Sequence, residues 1–221
     1  MTDTLAESRS AAVLDPIERI SEVLFGLFMV LTFTGTLSVA DSGRDEVRDM
    51  LVAAIGCNIA WGFVDGVMYV LRNLVTRART ATMMRAVREA ADPARAHAII
   101  SQEIGNVSRV LGAPEFERMR RWILDQPASA NSTPRVTLRD LQGAVAVFAL
   151  VFLSTFPVVL PFVFIADADV AKRASAAVAI GMLFACGFAW GRYAGLKAWR
   201  TGLVLVLLGL GVEAIVIALG G

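Results

Sequence analysis

A single histidine, His97, and two cysteines, Cys57 and Cys186, stand in a chain of 221 residues. One histidine excludes a multi-histidine metal site within one chain. Both cysteines fall inside apolar runs, so they read as small packing residues and not as a disulfide or a metal pair. Charge is also scarce, at 19% of residues against 56% hydrophobic, and a soluble domain of this length needs more polar surface than that. The net charge of +1 gives no general case for a nucleic-acid partner. Nucleophile elbow, phosphate loop, zinc motif and cysteine–histidine pairing are all missing, so an enzyme is not expected. A cleaved signal peptide is not expected either. The first 19 residues mix Asp3, Glu7, Asp15 and Glu18 with Arg9 and Arg19, and the apolar run after them is too long for a signal core.

What charge there is lies in clumps, at the N-terminus, over 41–49 and over 72–140. The stretches between them predict an all-α membrane protein with five transmembrane helices. The spans are read as Ile20–Ala40, Met50–Leu74, Leu141–Ala166, Ala174–Gly191 and Thr201–Leu219. Each is near the roughly 20 residues that cross about 30 Å of hydrocarbon. Trp190, Tyr193 and Trp199 flank the last two spans as interfacial aromatics do.

Lysine and arginine set the orientation. With the N-terminus in the cytoplasm, the inner segments 1–19, 72–140 and 192–200 hold 17 basic residues and the outer segments 41–49 and 167–173 hold 4. That asymmetry predicts a cytoplasmic N-terminus. The chain then divides into a cytoplasmic segment 1–19, a helical pair over 20–74, a helical cytoplasmic insert over 75–137 and three spans over 138–221. Asp15-Pro16, Asp92-Pro93 and Pro114 carry helix-start punctuation, and Thr137-Leu138-Arg139-Asp140 resembles a capping box. Phe116, Met119, Trp122 and Ile123 recur at helical spacing, with Arg118, Arg120 and Arg121 on the other faces. The insert is expected to be too small for a core of its own and to lean on another surface.

Acids inside the spans are the first candidates for chemistry. Asp65 falls near the middle of the second span. An ionised aspartate at bilayer centre costs roughly 2.5–3.5 kcal/mol on insertion scales, so it calls for a partner, water or a function. It sits one turn from Met68 and Tyr69 and two turns from Asn58 and Arg72. Two readings stay open: a group on an ion or proton path, or a packing residue bonded to Thr34, Thr36 or Tyr69. Glu22, one turn inside the first span, fits snorkelling to the interface, and Glu213 lies in the outer half of the fifth span. Pro157 and Pro161 remove backbone donors in the middle of the third span. Such a break either lines a site or is a packing kink. Gly62 and Gly66, and Gly187, Gly191 and Gly195, recur every four residues, which permits close helix approach within one chain or between two. Met29 and Met68 lie in spans and Met83, Met84 and Met119 in the insert; thioethers suit soft metals but are more often filler. Glu89, Glu103, Glu115 and Glu117 are the insert's glutamates, and the last two diverge on a helix.

The layout resembles the vacuolar iron transporter family. The string Leu51–Leu71, LVAAIGCNIAWGFVDGVMYVL, is similar to that family's second span. Thr155-Phe156-Pro157-Val158-Val159-Leu160-Pro161-Phe162 is similar to its two-proline third span, and Gly187–Gly211 to its last two glycine-rich spans. The resemblance implies the five-span fold, a homodimer in the lipid bilayer, and transport of a divalent metal, iron or manganese, coupled to protons. The metal would be cargo and not a permanently bound cofactor. The ion pathway would draw on Asp65, Asn58, Met29, Met68, Glu22 and Glu213, with Asp65 or Met68 in the place of the family's second-span methionine. The sequence departs from the family at Gly26–Val30, where the Asp-Gly pair of the first span is missing, and in its basic insert. An integral membrane location, the bacterial inner membrane, is expected. The alternative is a non-transporting scaffold or regulator whose insert, with 12 basic residues over 72–140, binds lipid or a partner.

Overall fold

Several helices begin where the sequence puts an acid or hydroxyl ahead of a helix former. In the computed structural model, which describes residues 13–35, 44–127 and 134–219, α1 runs Pro16–Gly35. Its first turn is closed by a reciprocal pair: Asp15 Oδ1 accepts from the Glu18 N–H at 2.8 Å and Glu18 Oε2 from the Asp15 N–H at 3.0 Å. Helix α2 runs Arg44–Arg88 and α3 runs Pro93–Ile104, capped by Asp92, which accepts from the Arg95 N–H at 2.7 Å. A 3-10 helix covers Gly105–Val110, and α4 covers Ala113–Asp125. Helix α5 is Leu138–Phe164; Thr137 N–H donates to Asp140 Oδ2 at 2.7 Å and Asp140 N–H to Thr137 Oγ1 at 3.3 Å. Asp167 caps α6, Ala168–Tyr193, and α7 is Ala198–Ala218.

Among the described residues four helices are long and apolar enough to cross a membrane: Val47–Arg88, Leu138–Phe164, Ala168–Tyr193 and Ala198–Ala218. Such a set is compatible with an integral membrane protein. Helix α1 carries Glu18, Arg19 and Glu22 in its first two turns and is not among the four. The end of the first expected span, 36–40, lies outside the described residues.

Three boundaries differ from the sequence reading. Helix α2 does not stop at Leu74 but continues to Arg88, because arginines mark a membrane edge without breaking a helix and no proline intervenes before Pro93. Helix α6 starts at Ala168, so Asp169, Lys172 and Arg173 are helical. Gly195 does not continue the stripe of Gly187 and Gly191. It follows α6 at φ +70°, with its N–H on the Arg192 carbonyl and the Leu196 N–H on the Gly191 carbonyl at 2.8 Å. This is a Schellman stop, which needs the left-handed conformation that glycine adopts without strain.

The chain divides into two compact units, Met1–Tyr69 with Leu141–Gly221, and Val70–Asp140. In the first, the core gathers Leu24, Leu27, Val30 and Leu31 of α1 with Ala54, Val158, Val159, Ala179 and Leu183. The later turns of α1 are thus walled by protein. Gly26 of α1 lies against the Val151 carbonyl and Ser154 of α5, and Gly187 and Gly191 of α6 lie on Gly202, Ala198 and Thr201 of α7. A Cβ on these glycines would overlap backbone, so the close approach requires them. The outward faces are apolar, with Phe63, Val67, Val145, Leu203 and Leu207 exposed.

The second unit has a core of its own, contrary to expectation. Met84, Val87, Ala96, Ile100 and Ile123 are buried together, with Phe116 and Met119 packed on them. The extension of α2 beyond Leu74 supplies the third wall that two short helices lacked. Trp122 lies outside this core and is exposed. Charged groups complete the unit. Arg88 closes the end of α4 by donating to the carbonyls of Ile123 at 2.9 Å and Gln126 at 2.6 Å. Glu117 accepts from Arg120 at 3.0 Å and Arg121 at 3.1 Å and lies 3.1 Å from His97 Nε2 of α3. Hydrogen bonds from Arg120, then Arg121 and His97, hold the Glu117 carboxyl down at about 2. Arg77 pairs with Asp140 at 2.6 Å, and Arg79 with Glu103 at 3.5 Å.

Candidate functional site

Helices α2 and α5 meet along small residues. Gly62 faces Phe148, Gly66 faces the Ala144 carbonyl, and the Tyr69 ring lies over Gly143. Larger side chains at these glycines would separate the helices, so the polar groups beside them are closed off from the surroundings. Tyr69 is anchored in turn, with its hydroxyl donating to the Val13 carbonyl at 3.2 Å.

Asn58 sits on this seam, fully buried, and donates from Nδ2 to Thr155 Oγ1 at 2.6 Å. Its Oδ1 is buried with no hydrogen-bond partner among the described residues, and so is Oδ2 of Asp65. An acceptor in that state costs about 1–3 kcal/mol, so two of them along one helix call for an explanation. Neither Thr34 nor Tyr69 is recorded on Asp65: Thr34 Oγ1 donates to the Leu31 carbonyl and Tyr69 to Val13, while Thr36 lies outside the described residues. Asn58 and Asp65 are seven residues apart, about 10 Å along the helix, so they form successive positions and not one ligand set.

The two prolines lie just beyond Asn58's partner, and α5 runs through both as one helix, so the break that the sequence suggested is not present. Pro157 and Pro161 lack the N–H groups that the Leu153 and Pro157 carbonyls would accept in an unbroken helix. Hydroxyls cluster around this point: Ser154 donates to the Val151 carbonyl at 2.7 Å, and Ser175 of α6 donates to the Val158 carbonyl at 2.6 Å. Thr155 and Ser175 are each 1% exposed, so this polar patch is inside the helix bundle.

The other sequence candidates are dispersed. Met29 is half-buried on α1, whereas Met68 is exposed on α2. Glu22 is half-buried on α1 and has its own interactions, and Glu213 is half-buried near the end of α7. Among the described residues no three His, Cys, Asp or Glu side chains gather as a metal group would. Thr155, Ser154 and Ser175 were missed by sequence reasoning. The signal available for the first two was a hydroxyl pair just before Pro157 in an otherwise apolar run. No protein-family model matches the chain, and no curated protein matches its sequence.

Proposed function

We propose that this chain is a membrane transporter of a small cation, with Asp65 as the group on the path that exchanges protons. The observation that carries the reading is the Asp65 carboxyl oxygen, buried beside the α2–α5 seam without a donor. Such an oxygen is satisfied by what a transporter carries, a proton or a cation. The second unsatisfied oxygen, on Asn58, lies on the same seam, where Asn58 bonds Thr155 two residues before Pro157 of α5. The resemblance to vacuolar iron transporters suggests iron or manganese as cargo, a homodimer as the working state, and five spans with the N-terminus in the cytoplasm of a bacterial inner membrane. The split of 17 basic residues against 4 supports that orientation. Purified protein in liposomes should move iron or manganese with counterflow of protons, read by a metal-quenched dye and a pH dye inside the vesicle. Asp65→Ala should abolish both signals. Flux at the native rate in that variant would remove Asp65 from the mechanism.

A second reading has its own observation. The 70–140 unit has an apolar core and internal ion pairs, as a recognition module does. As a scaffold or regulator, the chain would use this unit to bind anionic lipid or a partner. Binding to phosphatidylserine vesicles should weaken as salt rises. Salt-independent binding would count against it.

A further inference from the structure

An unassigned groove of about 420 Å³ lies in the first unit, outside the α2–α5 seam. Ala146, Ala149, Leu150 and Leu153 of helix α5 line one part of it. Val13 and Leu14, just before α1, form the other. Arg19 of α1 also lines it. The four α5 positions span seven residues, about 10 Å along the helix, and every one is apolar. The groove opens on a surface that is itself apolar: Leu153 is 59% exposed and Val145 67%.

Arg19 gives the groove a sign. Its side chain is exposed, and among the described residues no carboxylate is recorded in ion-pair range of it. Of the acids near it in sequence, Asp15 and Glu18 are turned into the helix start, where they accept each other's backbone N–H, and Glu22, one turn on, has its own interactions. Arg19 also stands in the first turns of α1, the positive end of the helix dipole. A cation at the end of an apolar groove on a bilayer-facing surface matches an anionic phosphate with an acyl chain attached. A free phosphate ion would use Arg19 and leave the apolar walls unoccupied, whereas an uncharged apolar molecule would leave Arg19 without its partner.

We propose that this groove is a binding site for one anionic phospholipid, its phosphate on Arg19 and one acyl chain along Ala146, Ala149 and Leu153. The inference rests on the chain being an integral membrane protein and does not depend on transport. Native mass spectrometry of the full-length protein, titrated in detergent with phosphatidylglycerol, phosphatidylcholine of the same chains, or glycerol 3-phosphate, tests it. One phosphatidylglycerol should bind about tenfold more tightly than phosphatidylcholine, and glycerol 3-phosphate should not bind. Arg19→Gln should abolish the preference, Arg19→Lys should keep most of it, and Ala149→Phe should exclude both lipids. Deleting residues 2–12 should leave the titration unchanged. Native-like preference in Arg19→Gln, or equal binding of the two lipids by the native chain, would overturn the proposal. A large gain in binding after the deletion would also overturn it, by showing that the groove belongs to the chain's own N-terminal segment.

Discussion

In the 70–140 unit the helices are joined by a small apolar cluster and by arginines that reach across to carbonyls and carboxylates. In the other unit they are joined at glycines, with backbone laid against backbone at Gly26, Gly66, Gly187 and Gly191. The first pattern is that of a water-soluble protein, where burying apolar area drives assembly. The second suits lipid, where apolar area is no drive and close van der Waals contact takes its place. The two patterns also treat polar atoms differently. The buried orphans Asn58 Oδ1 and Asp65 Oδ2 both belong to the glycine-packed unit, and Arg88 and Glu117 in the other are saturated with hydrogen bonds. Unmet bonding capacity thus lies in the glycine-packed unit, where the proposed cation path would run.

The comparison breaks first at the glycines. Gly26→Leu should leave almost no folded protein, because its Cβ meets the Val151 carbonyl and Ser154 on α5 and neither can retreat. The recovery of monodisperse protein after size-exclusion chromatography reads this. Ile100→Ala, in the second unit, should lower stability by about 2–5 kcal/mol through the cavity it leaves. Hydrogen exchange over 93–125 in the full chain should then quicken, with exchange in α6 and α7 unchanged.

Acid sharpens the contrast further. The Glu117 carboxyl is held at about 2, below its ordinary 4.5, so the unfolded chain takes up this proton first. The contribution of Glu117 is therefore complete above about 4.5 and lost as pH falls toward 2. Protection of α3 and α4 should fall over that window, and Glu117→Gln should flatten the fall. The smallest effect is expected at Arg118, whose side chain is 75% exposed in its pair with Glu115. Arg118→Ala should change stability by no more than about 0.5 kcal/mol, measured by thermal unfolding.

Much of the helix map was readable because its signals are local. Asp15, Asp92 and Asp140 each bond within three residues of themselves, so the sequence carried both partners of each cap. The continuation of α2 past Leu74 is not marked by hydropathy, because Arg77 and Arg79 change the surroundings of the helix and not its backbone. Nothing stops a helix there before Asp92-Pro93. The second unit's core was not legible, because it brings Met84 and Val87 of α2 onto Ala96, Ile100 and Ile123 of the two shorter helices, and no local signal encodes that neighbourhood. The site was half readable. Asp65 and the two prolines stand out in apolar runs, but the hydrogen bond from Asn58 to Thr155 joins residues 97 apart in sequence. Such a pairing depends on which helices are neighbours, and hydropathy does not encode that.

The central claim is that the unsatisfied carboxyl of Asp65 is kept for transport and not for packing. Asp65→Asn tests it most directly, since the amide keeps the shape and the hydrogen-bonding capacity but cannot exchange a proton. The measurement is cation and proton flux in liposomes at a protein amount verified by chromatography, beside the melting temperature of the same preparation. The account predicts a melting temperature equal to or above that of the native chain, and flux reduced to the level of empty liposomes. Native flux with a lowered melting temperature would contradict it and make Asp65 a packing residue.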